Sequence, residues 1–133
     1  NIGTSTGHIA RASLDTIAHR STDGLKAMEA DSGMKFKQLR AGGTMVNHTL
    51  LQYQADFYDI PVVQSRIKGI AAMGAAYLAG LGVVFWKDTD EIREHWKIAK
   101  EFNVLMEKET VAHHKKYWDK AVSRSLNWID SDE

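Results

Sequence analysis

The sequence predicts an α/β domain rich in helix and poor in strand. Apolar residues recur every three or four positions over five separate stretches, which is the helical period. Only two short runs have strand character, one closed by Gly42-Gly43 and one opened by Pro61. At 133 residues the chain is long enough for a single core, and no linker, repeat or low-complexity segment divides it, so one domain over 1–133 is expected.

The first helix is expected from Thr6 to about Ser32. Ile9, Ala10, Leu14, Ile17, Ala18, Leu25 and Met28 mark its apolar face, Thr6 is the candidate cap and Asp31-Ser32-Gly33 the stop. Met34 to Arg40 alternates in part and reads as a short strand ended by the glycine pair. A second helix from Val46 or Asn47 to Tyr58 follows from Val46, Leu50, Leu51, Gln54 and Phe57. Asp59-Ile60-Pro61 breaks it, and Pro61-Val62-Val63 begins the second strand. Ala71 to Leu81 carries Ala72, Ala75, Ala76 and Ala79, a stripe that permits close packing and predicts a central helix. Thr89 or Asp90 to Lys100, with Ile92, Trp96 and Ala99, and Lys108 to Trp128, with Val111, Trp118, Ala121 and Val122, are read as two outer helices. The expected order is therefore α, β, α, β, α, α, α, and two strands alone make a thin sheet.

Lysine plus arginine and aspartate plus glutamate number 17 each, so the formal net charge is zero. Nothing basic marks a nucleic-acid surface. The absence of cysteine excludes disulfides and thiolate metal sites and agrees with a cytoplasmic location. The most apolar run, Ile70 to Trp86, is interrupted by Lys87-Asp88 and is too short for a membrane span. The six histidines are read as surface residues. His113 and His114 are adjacent and point about 100° apart on a helix, so they cannot form a one-face zinc clamp. Trp96, Trp118 and Trp128 are read as helix anchors, and no carboxylate is placed in acid or base catalysis.

The stretch 40-RAGGTMVNHTLLQYQAD-56 carries the candidate site. Gly42 and Gly43 let a ligand approach the backbone, and the free amides of the helix that follows suit a nucleotide or phosphate. Asn47, about one turn further on, offers an amide donor and acceptor to a base. The same spacing also describes a plain strand-to-helix turn. No complete phosphate loop, GxxxxGK[ST] or GxGxxG, is present.

Beyond these patterns, 8-HIARASLDTIAHRSTDGLKAMEADSG-33, the GG-x-x-x-N of Gly42, Gly43 and Asn47, 50-LLQYQAD-56, 60-IPVV-63, 72-AMGAAYLAGLGVVFWKD-88 and 118-WDKAVSRSLNW-128 together resemble the C-terminal part of glycerol kinases of the FGGY family of carbohydrate kinases. The resemblance implies the last part of the second domain of an actin-like ATPase (ribonuclease H-like) fold. It implies ATP and Mg2+ as cofactors, with Mg2+ held mainly by upstream sequence. Gly42, Gly43 and Asn47 become nucleotide contacts, and the partner becomes the upstream part of the kinase or a second copy of the chain. The family's catalytic base, glycerol site and phosphate loop lie upstream of the stretch resembled, so the chain alone is expected to be inactive. At two places it departs from the family pattern. Leu39-Arg40-Ala41 precedes the glycines without the family's aspartate, and Gly69-Ile70-Ala71 replaces Glu-Thr-Thr. These losses motivate an alternative, a non-catalytic interaction or oligomerisation module derived from a kinase fragment.

Overall fold

The structure is a computed structural model and describes residues 2–43 and 47–127. Its elements are α1 (Thr6–Ser32), β1 (Leu39–Ala41), α2 (His48–Tyr58), β2 (Val62–Ser65), α3 (Ile70–Gly82), α4 (Thr89–Glu94), β3 (Ile98–Phe102) and α5 (Lys108–Ser125). The α/β, helix-rich character agrees with the sequence, but the second half of the fourth expected helix is a strand. β2 is central, pairing parallel with β1 and antiparallel with β3. The register sets Leu39 against Val62 and Val62 against Phe102.

The core forms where α2 lies on this sheet. Leu51, Ala55, Val62 and Phe102 cluster, with Leu39 and Ala41 packed against them. Val62 and Val63 are wholly buried, as β-branched residues in a central strand tend to be. The other side of α2 meets the middle of α1, where Ala18, His19 and Thr22 are buried. Gln54 Nε2 donates to Ser21 Oγ at 3.2 Å, and the Arg11 guanidinium lies 4.1 Å over the Tyr53 ring, so α1 and α2 are joined by directed contacts as well as by burial.

Local chemistry sets the boundaries. Ser5, not Thr6, caps α1, and its backbone N–H donates to His8 Nδ1 at 3.0 Å. Gly33 closes α1 in the left-handed conformation, φ 66°, with its N–H on Glu29 O at 2.9 Å. The strand expected from Met34 starts only at Leu39. The Phe36 N–H is taken by Glu29 Oε1 at 2.7 Å and Lys35 Nζ by Glu29 Oε2 at 2.6 Å, which ties this stretch back onto α1 and away from β2. The Lys35 hydrogen bond, followed by that from Phe36, holds the Glu29 carboxyl below its usual range. Burial, followed by the nearby Glu29 carboxylate, pushes the Tyr58 phenol up to about 12.

α3 is not central. Only Gly80 is buried along it, and Leu78 is exposed. The Trp86 ring folds back over Gly80, where a Cβ would overlap it. The helix ends in a Schellman arrangement: Phe85 N–H reaches Gly80 O at 2.8 Å and Val84 N–H reaches Leu81 O at 3.2 Å. The residue at the left-handed position is Val84, φ 59°, a β-branched side chain where glycine is usual. Val84 is 80% exposed, so its side chain has little packing to lose. Val84→Gly is therefore expected to stabilise the fold by about 1 kcal/mol, read as a higher urea midpoint with an unchanged slope.

α4 starts as the sequence indicates, with Asp88 Oδ1 accepting from Asp90 N and Glu91 N, each at 3.0 Å. It stops at Glu94, and Ile98 to Phe102 turn into β3. The helical pattern of Ile92, Trp96 and Ala99 is overridden by the free edge of β2, which offers backbone partners that local periodicity cannot register. α5 reaches the body through Trp118, whose ring stacks on His19 at 5.2 Å between centroids and whose Nε1–H donates to Asp23 Oδ2 at 2.7 Å. Val46, Trp128, Asp130, Asp132 and Glu133 lie outside the described residues. Among the described residues no helix is long and apolar enough to cross a membrane.

Candidate functional site

The parallel strands β1 and β2 end side by side, at Ala41 and Ser65. In α/β sheets the space beyond such carboxyl ends is where ligands are taken. Gly42 and Gly43 leave β1 at this edge, and α2 begins at His48, five residues beyond Gly43, so a strand, two glycines and a helix follow in sequence. Gly43 has φ 128°, which L side chains rarely adopt. Gly42 is constrained by space instead: a Cβ there would overlap Ile70 Cδ1 and stand 3.3 Å from Ser65 Cβ. A side chain at 42 would therefore oblige the end of the Ile70 side chain, in the first residue of α3, to move aside.

Asn47 is the N-cap of α2. Its Oδ1 accepts from Leu50 N at 3.1 Å, so the amide's acceptor serves the helix while the residue remains exposed. Next to it, His48 Nε2 and Gln64 Oε1 stand 3.2 Å apart, and the His48 ring lies 5.5 Å from that of Phe102. These contacts fasten the start of α2 over β2 and β3. The sequence offered no sign of them, because Gln64 and Phe102 are brought in by strand pairing.

Ala41 packs against the Leu51, Val62 and Phe102 cluster. Its methyl closes the core beneath the turn and offers nothing polar to a ligand. Ile70 likewise supplies an apolar surface against Gly42. Among the described residues no group of three or more histidine, aspartate or glutamate side chains is placed to hold a metal ion.

Two polar residues have surroundings the sequence did not reveal. Asp56 is buried, and its Oδ1 accepts from Leu105 N at 2.7 Å, Met106 N at 3.1 Å and Gln52 Nε2 at 3.2 Å. It organises the turn that follows β3. His19 is buried rather than on the surface, stacked at 4.2 Å on Phe57 and at 5.2 Å on Trp118.

Residues 1–83 match the model of the FGGY family of carbohydrate kinases, C-terminal domain. The chain belongs to the FGGY family. It is 46% identical over 125 residues to a glycerol kinase of Rhizorhabdus wittichii and 42% identical over 132 residues to one of Deinococcus radiodurans. These alignments cover 93% and 98% of the chain but only 25% and 26% of the relatives, so it spans about a quarter of their length. In structure it is similar to Plasmodium falciparum glycerol kinase, crystallised with ADP, at a TM-score of 0.80 and 27% identity, covering 97% of this chain and 26% of that one. A gluconate kinase from Lactobacillus acidophilus, at TM-score 0.66 and 19% identity over 92% of this chain and 25% of that one, shares the fold. The chain is thus the C-terminal domain region of an FGGY carbohydrate kinase.

Proposed function

We propose that this chain is the C-terminal part of an ATP-dependent glycerol kinase and forms the adenosine side of its nucleotide cleft. The observation that carries the reading is the succession at the end of β1: two glycines, one at a positive φ and one pressed by Ile70, followed by a capped helix start, in a chain that belongs to this family. In this reading Gly42 and Gly43 leave room for the nucleotide, and the Asn47 side-chain NH2 donates to it while Oδ1 keeps the cap. The whole enzyme would transfer the γ-phosphoryl group of ATP to glycerol, releasing ADP and glycerol 3-phosphate, in the cytoplasm where ATP is supplied. The general base, the glycerol site, the phosphate loop and the Mg2+ ligands would come from the upstream part of the kinase, and this chain alone would not turn glycerol over.

The test is an ATP titration, with magnesium present, followed by amide chemical shifts. Shifts are expected at Gly42, Gly43 and Asn47. Asn47→Asp separates the two roles of the residue, since it keeps an N-cap oxygen and loses the NH2 donor. It is expected to weaken ATP binding about tenfold with little change in stability. Absence of shifts on the folded chain would defeat the reading. It would favour the alternative, a non-catalytic interaction module, which finds support in the apolar Ala41 and Ile70 at the turn and in exposed Val83, Val84 and Phe85.

A further inference from the structure

We propose that the cavity bounded by the carboxyl end of β2, α3 and α4 is a second binding site, for a small carboxylate with an apolar body. The cavity has a volume of about 190 Å3, and Ile70, Met73, Tyr77, Ile92 and Trp96 form its walls with Arg40 among them. An apolar hole of about 150 Å3 accommodates a benzene molecule, so one ring or a branched aliphatic chain fits here.

Two features give the occupant a charged end. The indole Nε1–H of Trp96 is buried and has no acceptor among the described residues, and an unpaired buried donor is costly unless something accepts from it. The Arg40 guanidinium lies 5.0 Å from the centroid of that same Trp96 ring and has no carboxylate partner among the described residues. Arg93, also at this cavity, is already paired with Asp90. An indole donor and an uncommitted guanidinium beside an apolar wall suit a carboxylate, whose oxygens accept from both while its body covers the aliphatic side chains. Ile70 is shared with the glycine turn, since it also presses on Gly42, but the residues proposed to contact the carboxylate, Arg40 and Trp96, are not those proposed for the nucleotide.

The experiment is a titration of the full chain with benzoate, its neutral counterpart benzyl alcohol, and ringless acetate, following the Trp96 indole N–H resonance assigned by a Trp96→Phe variant. Benzoate is expected to move that resonance saturably and to bind about tenfold more tightly than benzyl alcohol. Acetate is expected not to saturate at millimolar concentration. Arg40→Met should reduce benzoate to the level of benzyl alcohol and leave the Trp118 indole unmoved. A Trp96 resonance that stays still with benzoate, or moves equally with both ring compounds, overturns the proposal. This comparison uses the unmutated chain, so it decides even if Arg40→Met fails to fold. The shifts of Gly42, Gly43 and Asn47 with ATP are a separate readout, and either site can fail without the other.

Discussion

Asp56→Ala is expected to destabilise the fold by about 3 kcal/mol and to lower its melting temperature by about 10 °C. One carboxylate oxygen accepts three hydrogen bonds, two of them from the backbone amides of Leu105 and Met106. Alanine removes the acceptor and leaves those N–H groups facing a buried methyl. Gln52 would keep its other bond, to Asn103 O at 2.8 Å, so the loss concentrates on the turn after β3. Asp56→Asn preserves an oxygen in place without the charge and should cost about half as much. Urea denaturation of the three proteins measures this, and a loss below about 1 kcal/mol for alanine would show that water satisfies the turn instead.

The second large effect is on pH dependence. His19 sits between Phe57 of α2 and Trp118 of α5, facing Asp15 and Asp23 of its own helix and His114 and Lys115 of α5. Burial is the largest influence and lowers its pKa from 6.5, against the opposing pull of Asp15. A histidine lowered in the folded state binds its proton more readily when unfolded, so stability rises with pH. The contribution is complete above the unfolded value of 6.5 and is lost as pH falls through the lower folded value. The slope is bounded by one proton, at most about tenfold in the unfolding constant per pH unit. His19→Phe retains a stacked ring without a titrating group and is expected to flatten stability between about pH 7 and pH 5. An unchanged slope in that variant would assign the dependence to other groups.

The helices of this fold were legible where burial obeys local period. Ala18 of α1 and Leu51 and Phe57 of α2 are buried on faces the spacing marks out, and Gly33 is the left-handed stop that its place in the sequence indicates. Ile9, Ile17 and Met28, expected on the apolar face of α1, are instead exposed, because α2 covers only the middle of that helix. β3 was not legible, because four of its five residues are exposed and its pairing with β2 is set by residues far away in the chain. His19 was misjudged for the same reason, since both rings that cover it come from other helices. The alanine stripe of α3 suggested a central helix, yet small side chains permit close packing without supplying a neighbour, and here little of α3 is covered. Around the candidate site, the glycines after β1 and the place of Asn47 at the start of α2 could be read in advance. The role of Ile70 against Gly42 could not, because nothing local in the sequence places those two side by side.

The sheet also has a topological consequence. β2 and β3 are antiparallel neighbours, and the chain between them departs and returns at one hydrogen bond, Arg66 N–H to Lys97 O at 3.0 Å. Everything in α3 and α4 is therefore an excursion of roughly thirty residues hung from the end of a hairpin, and closing it costs only about 2 kcal/mol more than closing a tight turn. That difference depends on length and not on what the excursion contains. A change in the length of residues 66–97 would thus cost the strand pairing beneath them little in closure entropy, apart from the contacts Ile70 and Trp96 make with Gly42 and Arg40.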